Sequence, residues 1–254
     1  MSQNSGPKLV AHRGYSIRYP ENTLLSINQA FLAGACYVEC DVQLTLDGVP
    51  ILLHDVELQR TTDQSGNVNE LNLAQINNAS AHFASKFGEQ FNSEFVPTLL
   101  QLVSLMAQWP KRHVFVEIKR ATIRRFGRES VLQKIVEVIQ PIADQIILIS
   151  FDYEIMQLVR SSTTFQTGWV IEEWNSNNLE LAAQLQSDYM FVDYECIPQQ
   201  LEMLPVAGWH WVVYEIDDVK TASLWLDKGA KFIETNNVGG LLAAPEFKQS
   251  SCHD

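Results

Sequence analysis

The sequence predicts a closed (β/α)8 TIM barrel with a small insertion after its second strand. Eight short apolar, strand-like runs recur along the 254 residues, and amphipathic segments of helical period separate most of them. An open doubly wound sheet is the alternative, but it would place a Gly-rich phosphate loop after the first strand, where this chain reads H-R-G-Y-S-I-R-Y-P. The length suits one barrel as readily as two small domains. The expectation is a single domain over 1–254, with 56–96 as an inserted segment over the catalytic face.

The strands are expected at 8–12, 37–43, 113–118, 145–150, 166–171, 189–193, 209–215 and 231–235. Helical patterns fall at 22–35, 98–108, 128–139, 153–161, 177–186, 197–204 and 218–229, with Gly or Pro near several ends. The rhythm breaks once. More than fifty residues follow the second strand, comprising a ninth apolar run at 49–55 and a polar, aromatic-dotted stretch at 56–96. Loops of that length in a compact domain are usually functional, and in a barrel insertions after a strand fall on the catalytic face.

Apolar residues make up 46% and charged residues 19%, the profile of a globular enzyme. Eighteen Lys and Arg against thirty Asp and Glu give a net charge of -12, which argues against nucleic acid or an anionic membrane as the main partner. A bound anion must then meet a local positive pocket. The opening M-S-Q-N-S-G-P-K has no apolar core and no run approaches membrane-spanning length, so a cytoplasmic protein without an integral membrane segment is expected. Cys36, Cys40, Cys196 and Cys252 have neither C-x-x-C spacing nor scaffold density; reduced, mostly buried thiols are expected, without structural zinc.

Barrel chemistry collects at the C-terminal ends of the strands. The first run ends in His12 and Arg13, the second carries Glu39 and Asp41, and the third carries Glu117 and Lys119. Each of the latter pairs is spaced i, i+2 and shares one strand face. The Asp47-Gly48 turn is a hairpin signal, and a two-residue loop would pair positions summing to 95, setting His54 opposite Asp41. Taken singly, each group has a structural reading: a satisfied strand-end histidine, an internal ion pair, a solvated strand end. Together, several acids on one rim repel unless a cation lies between them. Oxygen donors favour a hard divalent ion, Mg2+ or Ca2+, over zinc. A metal, two imidazoles, an arginine and a lysine make a phosphoryl-transfer site, with one histidine taking a proton from the attacking oxygen and the other giving one to the leaving oxygen.

H-R-G at 12–14, P-E-N-T at 20–23, E-C-D at 39–41, D-G-V-P-I-L-L-H-D at 47–55 and E-I-K at 117–119 follow in order and spacing, and this set resembles the glycerophosphodiester phosphodiesterase family. The resemblance implies a (β/α)8 barrel that hydrolyses glycerophosphodiesters, such as glycerophosphocholine or glycerophosphoethanolamine, to sn-glycerol 3-phosphate and an alcohol. It implies His12 and His54 as the acid-base pair, Glu39, Asp41 and Glu117 as metal ligands, and Arg13 and Lys119 as phosphate contacts. Glu21 either reaches the metal region or simply opens the first helix, capped by Asn22 or Thr23. Phe83, Phe87, Phe91 and Phe95, four residues apart, read as a helix face packed on the barrel.

The chain departs from the family pattern late. Glu215 and Asp217 stand at the usual Thr and Asn, and Asn236 at an Asp. Glu215 and Trp211 are candidates for the substrate mouth, although Trp211, like Trp209, could instead fill the barrel. Two other functions compete: a lysophospholipase D, which needs an apolar mouth, and a non-catalytic barrel that binds phosphate compounds, which would not need both histidines and all three acids.

Overall fold

The computed structural model describes residues 8–252, so the expectations resting on residues 1–7 lie outside the described residues. Among the described residues nine strands form: β1 (Lys8–Ala11), β2 (Tyr37–Leu44), β3 (Pro50–Leu52), β4 (His113–Ile118), β5 (Ile146–Ser150), β6 (Gln166–Ile171), β7 (Tyr189–Asp193), β8 (His210–Tyr214) and β9 (Phe232–Thr235). All but β3 are parallel, and β1 pairs with β9 on one side and β2 on the other, which closes the eight-stranded barrel. β3 lies antiparallel against the outer end of β2. The predicted TIM barrel is therefore the observed fold.

Ten α-helices accompany the strands among the described residues: α1 (Leu24–Leu32), α2 (Leu73–Ile76), α3 (Ala84–Phe87), α4 (Leu99–Met106), α5 (Arg120–Phe126), α6 (Arg128–Ile139), α7 (Tyr153–Ser162), α8 (Ser176–Leu185), α9 (Val219–Asp227) and α10 (Val238–Leu242). Several start where a short polar side chain takes up an orphan N–H. Thr23 accepts from Ser26 N, Asp152 from Ile155 N, Asn175 from Asn178 N and Asp218 from Thr221 N. Two cores result. The larger lies between strands and helices and includes Ile27, Leu102, Ile135, Ile155 and Trp225. The smaller fills the barrel, where Phe115 packs edge-on against Tyr189, Phe191 and Phe232. This plug of rings leaves a polar cavity above it.

Four expectations need correction. Residues 197–204 form no helix: Ile197 and Leu204 are buried anchors of a turn-rich connection bounded by Pro198 and Pro205, and the Leu204 N–H donates across to Lys228 O. The four phenylalanines do not form one helix face, because only 84–87 are helical, Phe83 has φ 51° and Phe95 is half exposed. Instead Phe83, Phe87 and Phe91 pack edge to face, and Phe91 meets Tyr19 of the loop after β1. The thiols are not all reduced: Cys36 and Cys252 form a disulfide, while Cys40 is buried and unpaired and Cys196 is exposed. Their separation of 216 residues hides the pairing from the sequence, since only barrel closure brings the chain's end beside β2. The fourth correction, to the hairpin, bears on the active site.

Among the described residues, no helix is long and apolar enough to cross a membrane.

Candidate active site

His12 and Arg13 directly follow β1, where the chain turns sharply. Arg13 has φ 53° and Gly14 φ 85°. A Cβ on Gly14 would come within 2.6 Å of the Ser26 backbone carbon, so only glycine lets this loop lie against α1. Asn22, also at positive φ (57°), donates its N–H to Arg13 O and clamps Asp41: its Nδ2 donates to Asp41 Oδ2 at 2.8 Å, and Asp41 N donates to its Oδ1 at 3.0 Å. Thr23, not Asn22, caps the helix.

Glu39, Asp41 and Glu117 come together as the i, i+2 spacing requires. One oxygen from each lies within 4.8 Å of the others, and all three side chains are buried. Parallel pairing sets Asp41 beside Glu117. Arg13 and Lys119 hold the cluster against its own repulsion. Arg13 Nε lies 3.2 Å from Asp41 Oδ2, and Lys119 Nζ lies 3.1 Å from Asp41 Oδ1 and 2.9 Å from Glu117 Oε1. The Arg13 N–H also donates to Glu39 Oε2 at 3.0 Å.

The charges divide unequally. Burial would raise the Asp41 carboxyl, but Lys119, Arg13 and the Asn22 bond outweigh it and hold the group well below the usual carboxylate range. Glu117 is pushed up to about 7, by burial first and then by Asp41, against the pull of Lys119. Burial and the neighbouring acids Asp41, Glu234 and Glu117 raise Glu39 well above its ordinary value. Glu39 Oε1 is buried and has no hydrogen-bond partner. An orphaned carboxylate oxygen beside two further acids is what a hard cation would satisfy, so the residues fit a divalent metal.

His12 is buried, with Nε2 3.9 Å from Glu39 Oε2 and Nδ1 3.1 Å from Asn236 Oδ1. Asn236 Nδ2 donates to Glu215 Oε2 and Asp217 Oδ2, so its carbonyl oxygen faces His12. Nδ1 therefore carries the proton and Nε2 is open to the cavity. Burial, followed by Arg13, lowers His12 to about 4. Asp217 in turn accepts from Thr235 Oγ1 and Asn236 N. The residues that departed from the family pattern thus form the support behind this ring.

His54 arrives differently from the expectation. The hairpin loop has three residues, because the Thr45 N–H donates to Val49 O and Gly48 takes φ 76°. Observed pairs such as Val42 with Leu52 sum to 94, and Leu53, not His54, bonds Asp41. Continued strand alternation would turn His54 away, but β3 ends at Leu52 and the chain bends over 54–56. That bend brings His54 into the cavity, with Nδ1 2.6 Å from Asp55 Oδ1. Arg60 binds Asp55 and donates to both oxygens of Glu21, which also accepts from Arg13 at 2.9 Å. Glu21 thus braces two arginines and stands outside the acidic triad.

His12, Arg13, Glu39, His54, Glu117 and Lys119 line a cavity of about 180 Å³ together with Phe151, Tyr214, Glu215 and Glu234. Trp211 is not among them. It is 3% exposed, faces the helices with alternate parity to Tyr214, packs on Trp174 and Trp209 and donates to Pro205 O. Tyr214 lines the cavity instead. Glu234, Asn22, Asp55 and Arg60 were missed from sequence. The available signals were an acid inside the apolar run F-I-E-T, in phase with inward-facing Phe232, and the H-D and P-E-N-T motifs, whose remaining polar members brace the named ones.

The sequence profile of the Glycerophosphoryl diester phosphodiesterase family matches residues 12–239. A glycerophosphodiester phosphodiesterase of Caldanaerobacter subterraneus subsp. tengcongensis is 30% identical over 222 residues, 84% of this chain and 88% of that one. One from Bacillus altitudinis is 32% identical over 146 residues, a match spanning 58% of each chain. Among solved structures, a phosphodiesterase of Oleispira antarctica in complex with the product sn-glycerol-3-phosphate superposes with a TM-score of 0.83 at 25% identity, covering 93% of this chain and 96% of that one. With the profile running from the first histidine through the last barrel strand, the chain belongs to the glycerophosphoryl diester phosphodiesterase family of enzymes.

Proposed function

We propose that the chain is a metal-dependent hydrolase of small glycerophosphodiesters, such as glycerophosphocholine or glycerophosphoethanolamine, and releases sn-glycerol 3-phosphate and an alcohol. The observation that carries this reading is the convergence of Glu39, Glu117, two imidazoles and two fixed cations on one cavity, with Asp41 completing the acidic cluster. The product bound to the Oleispira antarctica phosphodiesterase supports the substrate class.

Glu39, Asp41 and Glu117 would hold Mg2+ or Ca2+, which when bound supplies Lewis-acid stabilisation of charge on the phosphoryl oxygens. Arg13 and Lys119 orient the diester and offset the charge that develops on its non-bridging oxygens. His12 presents an unprotonated Nε2 and takes the proton of the attacking oxygen as the new P–O bond forms. His54, its Nδ1 held by Asp55, gives a proton to the alcohol oxygen as the old P–O bond breaks. Buried Phe191 and Ile149 close the inner wall of the cavity and limit water there.

The test is hydrolysis of glycerophosphocholine with release of glycerol 3-phosphate, before and after EDTA. Activity is expected to vanish with the chelator and return with Mg2+ or Ca2+. Full activity in EDTA would remove the metal from the reading, and no hydrolysis under any ion would remove the reading itself.

A further inference from the structure

We propose that the inserted segment 56–96 clamps the two histidines from two sides, with Lys86 and Ser16 as positioning residues that act on His12 through Asn236. The chemistry assigned to the rings rests on the phosphodiesterase reading above; the contacts that hold them do not.

Ser16 is buried and stands in a tight turn after β1, where the Arg18 and Tyr19 N–H groups both donate to Tyr15 O. Its hydroxyl points inward. Ser16 Oγ donates to Asn236 Oδ1 at 2.8 Å, and the same oxygen lies 3.1 Å from His12 Nδ1. The next N–H, that of Ile17, donates to Asn236 O at 3.1 Å. The turn therefore holds Asn236 by main chain and side chain together, and Asn236 holds the ring. Neither Ser16 nor Asn236 lines the cavity, so Ser16 reaches the reaction only through His12.

The inserted segment fixes that turn from outside. Lys86, in the single turn of α3, donates from Nζ to Ser16 O at 2.8 Å, and its ammonium lies 5.8 Å from the Phe83 ring centroid and 5.3 Å from that of Phe87. A charged donor makes a stronger bond to a carbonyl than a neutral one, and the two rings hold the ammonium over it. Phe91 packs on Tyr19 at the far end of the turn, with 5.9 Å between ring centroids. The same segment reaches the second imidazole by a separate path, since Arg60 binds Asp55 behind His54 and Glu21 behind Arg13. Two imidazoles that serve one phosphorus must keep a fixed separation, and a misplacement of about 1 Å costs on the order of a hundredfold in rate. A segment with its own core, including Leu58, Val68, Ile76 and Val96, is stiff enough to hold both supports at once.

The test measures glycerophosphocholine hydrolysis by Ser16→Ala, Lys86→Met and Lys86→Arg. Ser16→Ala and Lys86→Met are each expected to lower kcat roughly tenfold, with KM within about twofold of wild type. Lys86→Arg keeps a charged donor and should recover most of the loss. Wild-type kcat in Ser16→Ala or Lys86→Met overturns the clamp, as does Lys86→Arg turning over no faster than Lys86→Met. A loss carried by KM instead also overturns it and makes the segment a wall of the substrate mouth. The nitrogen NMR signals of the His12 ring, identified by their disappearance in His12→Ala, give a reading independent of turnover. Ser16→Ala and Lys86→Met should both displace them while the His113 signals stay in place; unmoved His12 signals overturn the clamp. If the wild type hydrolyses no glycerophosphodiester, the phosphodiesterase reading falls and the ring signals still decide the clamp.

Discussion

Asp55 Oδ1 lies 2.6 Å from Nδ1 of His54, its neighbour in sequence, and Arg60 holds the other Asp55 oxygen. The carboxylate fixes the ring orientation and favours the protonated imidazole, opposing the burial that lowers His54. Asp55→Asn is therefore expected to lower kcat by on the order of tenfold while changing KM little. It should also move the His54 limb of the pH profile to lower pH, a shift that a purely structural role would not produce. An unmoved limb would show that Asp55 does not act through His54.

His12→Ala and His54→Ala should each reduce kcat by roughly a hundredfold or more, with folding retained by circular dichroism. Near wild-type turnover by either variant would exclude that ring as an acid or base.

The Cys36–Cys252 bond ties the chain's end to the start of β2. Unfolding without reductant should expose two alkylatable thiols, those of Cys40 and Cys196, and unfolding with reductant all four. Cys36→Ser should cost about 2–4 kcal/mol of stability, read as a lower Tm. Four thiols without reductant would show that the bond does not form.

Asp152 caps α7 and takes both Arg128 donors, Nε at 2.7 Å and Nη2 at 2.8 Å. Burial opposes ionisation, but Arg128 and the Ile155 N–H outweigh it, so the folded pKa lies below the unfolded value of about 3.9. The stabilisation is complete above that value and is lost as pH falls through the folded pKa. Asp152→Ala should cost about 1 kcal/mol at neutral pH, and the gap to wild type should close in acid. A gap constant down to pH 2 would assign the loss to packing.

Phe115 is fully buried at the centre of the barrel plug. Phe115→Ala should cost about 3–5 kcal/mol through the cavity it leaves, measured by denaturant titration. A smaller loss would mean that Tyr189 and Phe232 collapse into the space.

Local pattern was enough for the barrel and for placing most of the candidate site residues on one rim. Apolar runs alternating with amphipathic ones set the eight parallel strands, because each element must bury one face against the next. Period-two alternation placed Glu39 with Asp41 on one face of β2, since successive strand side chains point oppositely. What depends on distant contacts was decided only by the tertiary structure. His54 enters the cavity by a bend that no strand register foretells, and Cys36 meets Cys252 only after the barrel closes. Trp211 and Glu234 differ in phase against the barrel axis, so the ring that looked functional packs under helices while the unremarked acid faces the cavity. Sequence carries the period of each element; which partner completes a buried polar group is set by where the closed sheet brings the chain back.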